Sequence, residues 1–158
     1  MKTGRKILLA VLVLFAVLIL LQLIPVSRQN PPVVTDFKGD PGVRQILRRS
    51  CYDCHSNETV WPWYSRIAPV SWLVAGDVNE ARGHLNFSEW GRMVTGDQNA
   101  MKRRIWKEIE LDEMPPGRYL LMHSEARLTE HEKSLINTWA KGSSPTGSSS
   151  ADAELPPE

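Results

Sequence analysis

The run from Ile7 to Ile24 contains one residue that is not apolar, Gln22, and no other feature limits so sharply what this chain can fold into. A helix of that length rises far enough to cross the hydrocarbon core of a bilayer, so the sequence predicts a transmembrane anchor over residues 7–24. Lys2, Arg5 and Lys6 precede it. Basic residues favour the cytoplasmic side, which assigns residues 1–6 to the cytoplasm and the chain after Pro25 to the periplasmic, extracytoplasmic face of an inner membrane. A cleaved signal peptide has a shorter apolar stretch that ends in a small-x-small site. Here the stretch runs on through Leu21, Leu23 and Ile24 into Pro25, which favours a retained anchor.

Beyond the anchor the chain divides by composition. Residues 25–35 carry Pro25, Pro31 and Pro32 with little periodic pattern, as an extended linker does. From Gly142 the chain turns to Gly, Ser, Pro and Glu; residues 142–158 are too polar to bury and are expected to be disordered. The folding unit is therefore 36–141, small enough to have a thin core that benefits from a staple. Only two cysteines occur, both within one four-residue stretch, so no framework of disulfides joins distant segments. A staple here is local, or it is a cofactor. The formal charge of +1 lacks the basic excess of a nucleic-acid binder, and nucleic acid is not an expected partner.

Within 36–141 the apolar spacing is helical. Pro41 suits the start of a helix that carries Val43, Ile46 and Leu47 toward Cys51. Trp72, Leu73, Val78 and Ala81 predict a second helix over about 70–84. Met101, Ile105 and Ile109, with Trp106 beside them, predict a third after Asp97. Thr129 with Glu132 three residues on is a capping box that opens a last helix, with Leu135, Ile136 and Trp139 on one side and Gly142 as its stop. No segment alternates with period two, so the expected class is all-α.

Cys51-Tyr52-Asp53-Cys54-His55 is the C-x-x-C-H haem-attachment pattern. Two thiols three residues apart on a helical turn can reach the two vinyl groups of one porphyrin. His55, four residues beyond Cys51, projects from the same side and offers its imidazole to the iron. Three alternatives compete. A thioredoxin-type redox pair needs a βαβ setting, and no strand pattern precedes the motif. A structural zinc site needs four ligands, and no second Cys pair or His cluster is present. A plain local disulfide leaves His55 without a role. The sequence therefore predicts one covalently attached haem c, and the six tryptophans are numerous enough to help wall in a large flat aromatic ligand, although any single Trp is more simply a core or surface aromatic.

The run CYDCHSNETVWPWYSRIAPVSW, followed by EMPPGRYLLMHSEARLTEHE and a closing INTWA, resembles the small bacterial haem-binding domain family related to cytochromes c, over about 33–141. The resemblance implies a compact, cytochrome c-like helical fold in which the first and last helices of the domain pack together and haem is bound through Cys51, Cys54 and His55. It implies no enzymatic activity.

For the sixth ligand the sequence offers Met114, in a loop where Pro115 and Pro116 restrain the backbone. The distal Met of cytochromes c stands in a comparable loop before the last helix. His123 is the main rival, followed by Met122, His84 and His131. A carbonyl near Pro62 or Ala68-Pro69 is expected to orient His55. Tyr64, Arg66, Arg118 and Tyr119 are candidate partners for the propionates, and Lys102, Arg103, Arg104 and Lys107 form a basic cluster suited to an acidic redox partner or to a wet helix face. With His55 and Met114 both on the iron, the expected function is membrane-confined transfer of single electrons, with unidentified protein partners. The alternative is a haem sensor or gas-binding module with a labile or absent sixth ligand. A peroxidase ranks lowest, because no distal acid-base pair is evident.

Overall fold

The computed structural model describes residues 2–142, and the polar tail expected at 142–158 lies outside them except for Gly142. Seven α-helices occur among the described residues: α1 (Lys2–Leu21), α2 (Pro41–Ser50), α3 (Tyr52–His55), α4 (Val70–His84), α5 (Thr95–Glu110), α6 (Gly117–Leu120) and α7 (Glu130–Ala140). Short 3-10 helices occupy Trp63–Arg66, Phe87–Arg92 and Ser124–Ala126. No strand occurs among the described residues, so the all-α expectation holds. α1 is long and apolar enough to cross a membrane, with a mean hydropathy of 2.5 over its apolar window.

The chain divides into two compact units. The first comprises residues up to Val34 together with Tyr52–Ser88. In it α3 packs on α4, and α4 packs on the 3-10 turn Trp63–Arg66. Ala75 and Val78 are the buried side of α4, while Tyr52 stacks on Phe87 at 5.0 Å between ring centroids. Residues 25–34, without regular structure, are tied to this unit through polar contacts. Arg28 donates to the Ser65 carbonyl (3.2 Å), Asn30 to that of Thr59 (2.9 Å), and Asn57 to that of Pro32 (2.9 Å).

The second unit comprises Thr35–Cys51 and the chain from Glu89 onward. α7 packs on both α5 and α2, so the first and last helices of the domain meet, as the family resemblance implies. α2 starts where Pro41 predicts: Asp40 Oδ1 accepts from the amides of Gly42 and Val43 at 2.9 and 3.2 Å, and proline supplies a first-turn residue that has no N–H to satisfy. The capping box at Thr129 is complete, and Gly142, at φ 81°, follows the end of α7. The core gathers Val43, Ile46, Leu47, Ile105, Ile109 and Ile136 around an aromatic cluster. Phe37 meets Trp90 and Trp139 edge to face at 5.2 and 5.5 Å, a geometry that places the positive ring edge on the negative face. Two of the six tryptophans are thus committed to ordinary core packing.

Candidate haem site

His55 stands at the end of α3, half-buried. Its Nδ1 lies 3.0 Å from the carbonyl oxygen of Ala81 and 3.1 Å from that of Leu85. Carbonyls only accept, so Nδ1 carries the proton and the lone pair resides on Nε2. The carbonyls near Pro62 and Ala68-Pro69 expected for this task are not the ones used. The Ala81 carbonyl, in the last turn of α4, already accepts from the Leu85 amide at 2.9 Å and shares its second lone pair with His55, whereas the carbonyl of Leu85, just past the helix, has no intrahelical donor; the packing of α3 on α4 presents His55 to both. Burial pushes the imidazole below its ordinary pKa, against the two backbone hydrogen bonds, which keeps it in the neutral form that binds a metal.

The peptide after His55 is held by a network that sequence reasoning did not anticipate. Ser56, fully buried, donates its hydroxyl to the Tyr52 carbonyl at 2.7 Å and accepts from the Glu58 amide at 2.9 Å. The Asn57 amide donates to Ser88 Oγ (2.9 Å), Asn86 donates to Asn57 Oδ1 (2.8 Å), and Thr59 donates to the Asp53 carbonyl (2.8 Å). Arg82, one residue beyond Ala81, joins these parts. Its Nε donates to the Ser56 carbonyl at 2.7 Å, Nη1 to that of Gln29 at 2.9 Å, and Nη2 to Asn30 Oδ1 and Thr59 Oγ1 at 2.8 and 2.9 Å. The one available signal was the polar run Ser56-Asn57-Glu58-Thr59 directly after the motif, residue types that hydrogen-bond nearby backbone.

Cys51 closes α2, its amide bonded to the Leu47 carbonyl at 2.8 Å, and belongs to the second unit; Cys54 lies on α3 in the first. Both are half-buried thiols. Met114 is in the second unit, in the loop after α5, where the Glu108 carbonyl accepts from its amide at 3.2 Å and its side chain is 37% exposed. The same loop is tied to α7 by Lys133 on Asp112 at 2.9 Å. His123 stacks on Tyr119 and contacts Glu125 Oε1 at 3.1 Å. Met122, His84 and His131 are exposed, His84 lying 3.9 Å from Glu80. Arg66 and Arg118 are exposed, Tyr64 and Tyr119 half-buried. Of the basic cluster, Arg103, Arg104 and Lys107 are exposed, and Lys102 lies 5.5 Å over the Trp139 ring.

These residues suit a haem better than a bare ion. Among the described residues no group of three or more His, Cys, Asp or Glu is arranged to hold a metal by itself, whereas a porphyrin brings four nitrogens of its own. His55 has one ring nitrogen fixed as donor and the other left with its lone pair, the arrangement of a haem-ligating histidine. Trp72, on the helix that packs against α3, has a buried Nε1–H without a hydrogen-bond acceptor, and buried donors are normally paired. The fold and the site thus define a small helical domain in which one oriented histidine keeps a ring nitrogen with its lone pair. A family model described as a haem-binding domain matches residues 16–142, and the chain belongs to that family. The match takes in the end of α1 and the segment after it. Comparison with curated proteins and with solved structures found no match.

Proposed function

We propose that this haem-binding domain is a membrane-anchored, single-haem c-type cytochrome that passes electrons one at a time on the extracytoplasmic side. The observation that carries the reading is the hydrogen-bonded Nδ1 of His55 directly after Cys51 and Cys54. Cys51 and Cys54 would hold the cofactor through thioethers, His55 would ligate through Nε2, and Met114, on a loop restrained by Pro115 and Pro116, would supply a second protein ligand. A bound haem supplies one-electron chemistry, and a histidine–methionine pair favours a relatively high potential. The carbonyls of Ala81 and Leu85 fix the tautomer and ring orientation of His55 and raise its basicity. The apolar α1, with Lys2, Arg5 and Lys6 before its apolar stretch, supports an anchor whose amino end is cytoplasmic. Confinement near redox partners raises their effective concentration without any new contact.

The test is spectroscopic. Colour should remain with the polypeptide on a denaturing gel, and a pyridine haemochrome should report two saturated vinyls; haem removed by acid-acetone refutes covalent attachment. The ferric protein should show the weak far-red sulfur-to-iron band, which Met114→Ala should abolish while lowering the potential and opening the ferrous haem to carbon monoxide. Rapid carbon monoxide binding by the unmodified protein, with no such band, replaces the carrier reading with that of a sensor. Loss of the spectrum on His123→Ala alone makes His123 the ligand.

A further inference from the structure

In the first unit, Gln22 follows α1 directly and makes a paired contact with a distant peptide. Its Nε2 donates to the Ala68 carbonyl at 3.2 Å, and its Oε1 accepts from the Ala68 amide at 3.0 Å. The Leu18 carbonyl accepts from the same Nε2 at 3.0 Å. Ala68 is buried, so the two bonds pin one specific backbone segment to the end of the apolar helix. Around that segment large apolar side chains face outward. Trp63 is 68% exposed, Ile67 47%, Val70 39% and Leu73 67%, with Leu23 and Ile24 also exposed just past α1.

The pattern is that of a surface, not a scatter. Val70 and Leu73 share one face of α4, three residues apart, while Ser71, Ala75 and Val78 on the other side are buried. Trp63 and Arg66 stand three apart on a 3-10 turn, where such residues eclipse one another. A tryptophan beside an arginine suits the boundary between acyl chains and headgroups.

We propose that this face, Trp63, Ile67, Val70 and Leu73 with Arg66, docks into the headgroup–acyl boundary of the bilayer that α1 spans. The occupant follows from continuity. The Gln22–Ala68 pairing puts the face where α1 ends, and a helix that spans the hydrocarbon core ends at that boundary. The inference rests on the membrane-anchor part of the proposed function. Its consequence is orientation. α4 is docked at its Val70 end, and Ala81, whose carbonyl holds His55, lies about 16 Å farther along the helix axis at 1.5 Å per residue. The first unit is then held at one height and tilt instead of swinging on a tether.

The test uses the full-length holoprotein in vesicles of phosphatidylcholine and phosphatidylglycerol. A nitroxide is carried by a ketone amino acid substituted singly for Leu73, Ile67, Leu18 or Val94, so that both cysteines are left untouched. Val94 is an exposed position in the second unit. Collisions with oxygen, which concentrates in lipid, are compared with collisions with a water-soluble nickel chelate. Oxygen should dominate at 18, 67 and 73, and nickel at 94. If nickel dominates at 67 and 73 while oxygen still dominates at 18, the anchor stands and the docked face is overturned. If 67 and 73 are shielded from both reagents, a protein covers the face, and the proposal is equally overturned. If nickel dominates at 18 as well, the anchor reading itself fails, and docking with it.

Discussion

Replacing Arg82 by alanine tests whether the network behind the C-x-x-C-H helix is held by one side chain. Arg82 makes four hydrogen bonds, to the Ser56 and Gln29 carbonyls, Asn30 Oδ1 and Thr59 Oγ1. These acceptors do not suffer equally when it is removed. Gln29 and Asn30 are exposed and rehydrate. Ser56 and Thr59 are buried, and a buried acceptor stripped of a charged donor costs roughly 1–3 kcal/mol. Thr59 retains its bond to the Asp53 carbonyl, so most of the loss falls on Ser56. Arg82→Ala should therefore destabilise the protein by about 3 kcal/mol, which for a domain of this size lowers Tm on the order of 15 °C. Arg82→Lys should recover less than half of that, since an ammonium cannot reproduce the planar fork that spans acceptors on separate segments. The assay is thermal unfolding of the full-length holoprotein in detergent, followed by far-UV circular dichroism. A change below about 3 °C for Arg82→Ala, or full recovery by lysine, would refute the reasoning.

Three further substitutions probe the second unit. Glu132 pairs with Arg49 at 2.7 Å and completes the α7 capping box. The hydrogen bond from Arg49, opposed by burial and helped by bonds from Thr129, holds its carboxyl at about 2 instead of 4.5. A folded pKa below the unfolded one gives stability that is present above pH 4.5 and lost as pH falls toward 2. Because the guanidinium is more than a third exposed, the contribution is discounted to about 1 kcal/mol. Glu132→Gln should remove it above about pH 5 and flatten the acid limb of a denaturation series; an unchanged limb contradicts the assignment. At Gly39 an added methyl meets the Phe37 ring, which is wedged between Trp90 and Trp139, so Gly39→Ala should cost about 1–3 kcal/mol. At Gly96, in α5, nothing lies within 4 Å, and Gly96→Ala should stabilise by about 0.5 kcal/mol. Equal shifts in chemical denaturation for the two variants would dismiss the steric account.

The features legible in the sequence are those set within a turn or two of the chain. α2 begins at Pro41 behind Asp40, α4 spans Val70–His84, and α7 opens on the Thr129–Glu132 box, because caps and apolar periodicity act over three or four residues. α5 begins at Thr95, two residues ahead of the Asp97 from which it was expected, a discrepancy of the size at which helix ends are defined. The C-x-x-C-H run is likewise local. Tertiary structure decided the rest. The carbonyls that orient His55 lie 26 and 30 residues away, and no spacing rule singles out Ala81 and Leu85 over Pro62 or Ala68; the packing of α3 on the end of α4 does. Arg82 reads as one more surface arginine until Gln29, Asn30, Ser56 and Thr59 are gathered around it. Gln22 reads as the lone polar blemish in an apolar helix until the fold sets the Ala68 peptide against it, 46 residues on. A backbone carbonyl or amide carries no residue-specific signal in a sequence, so which of them a side chain will find is chosen only when the helices pack.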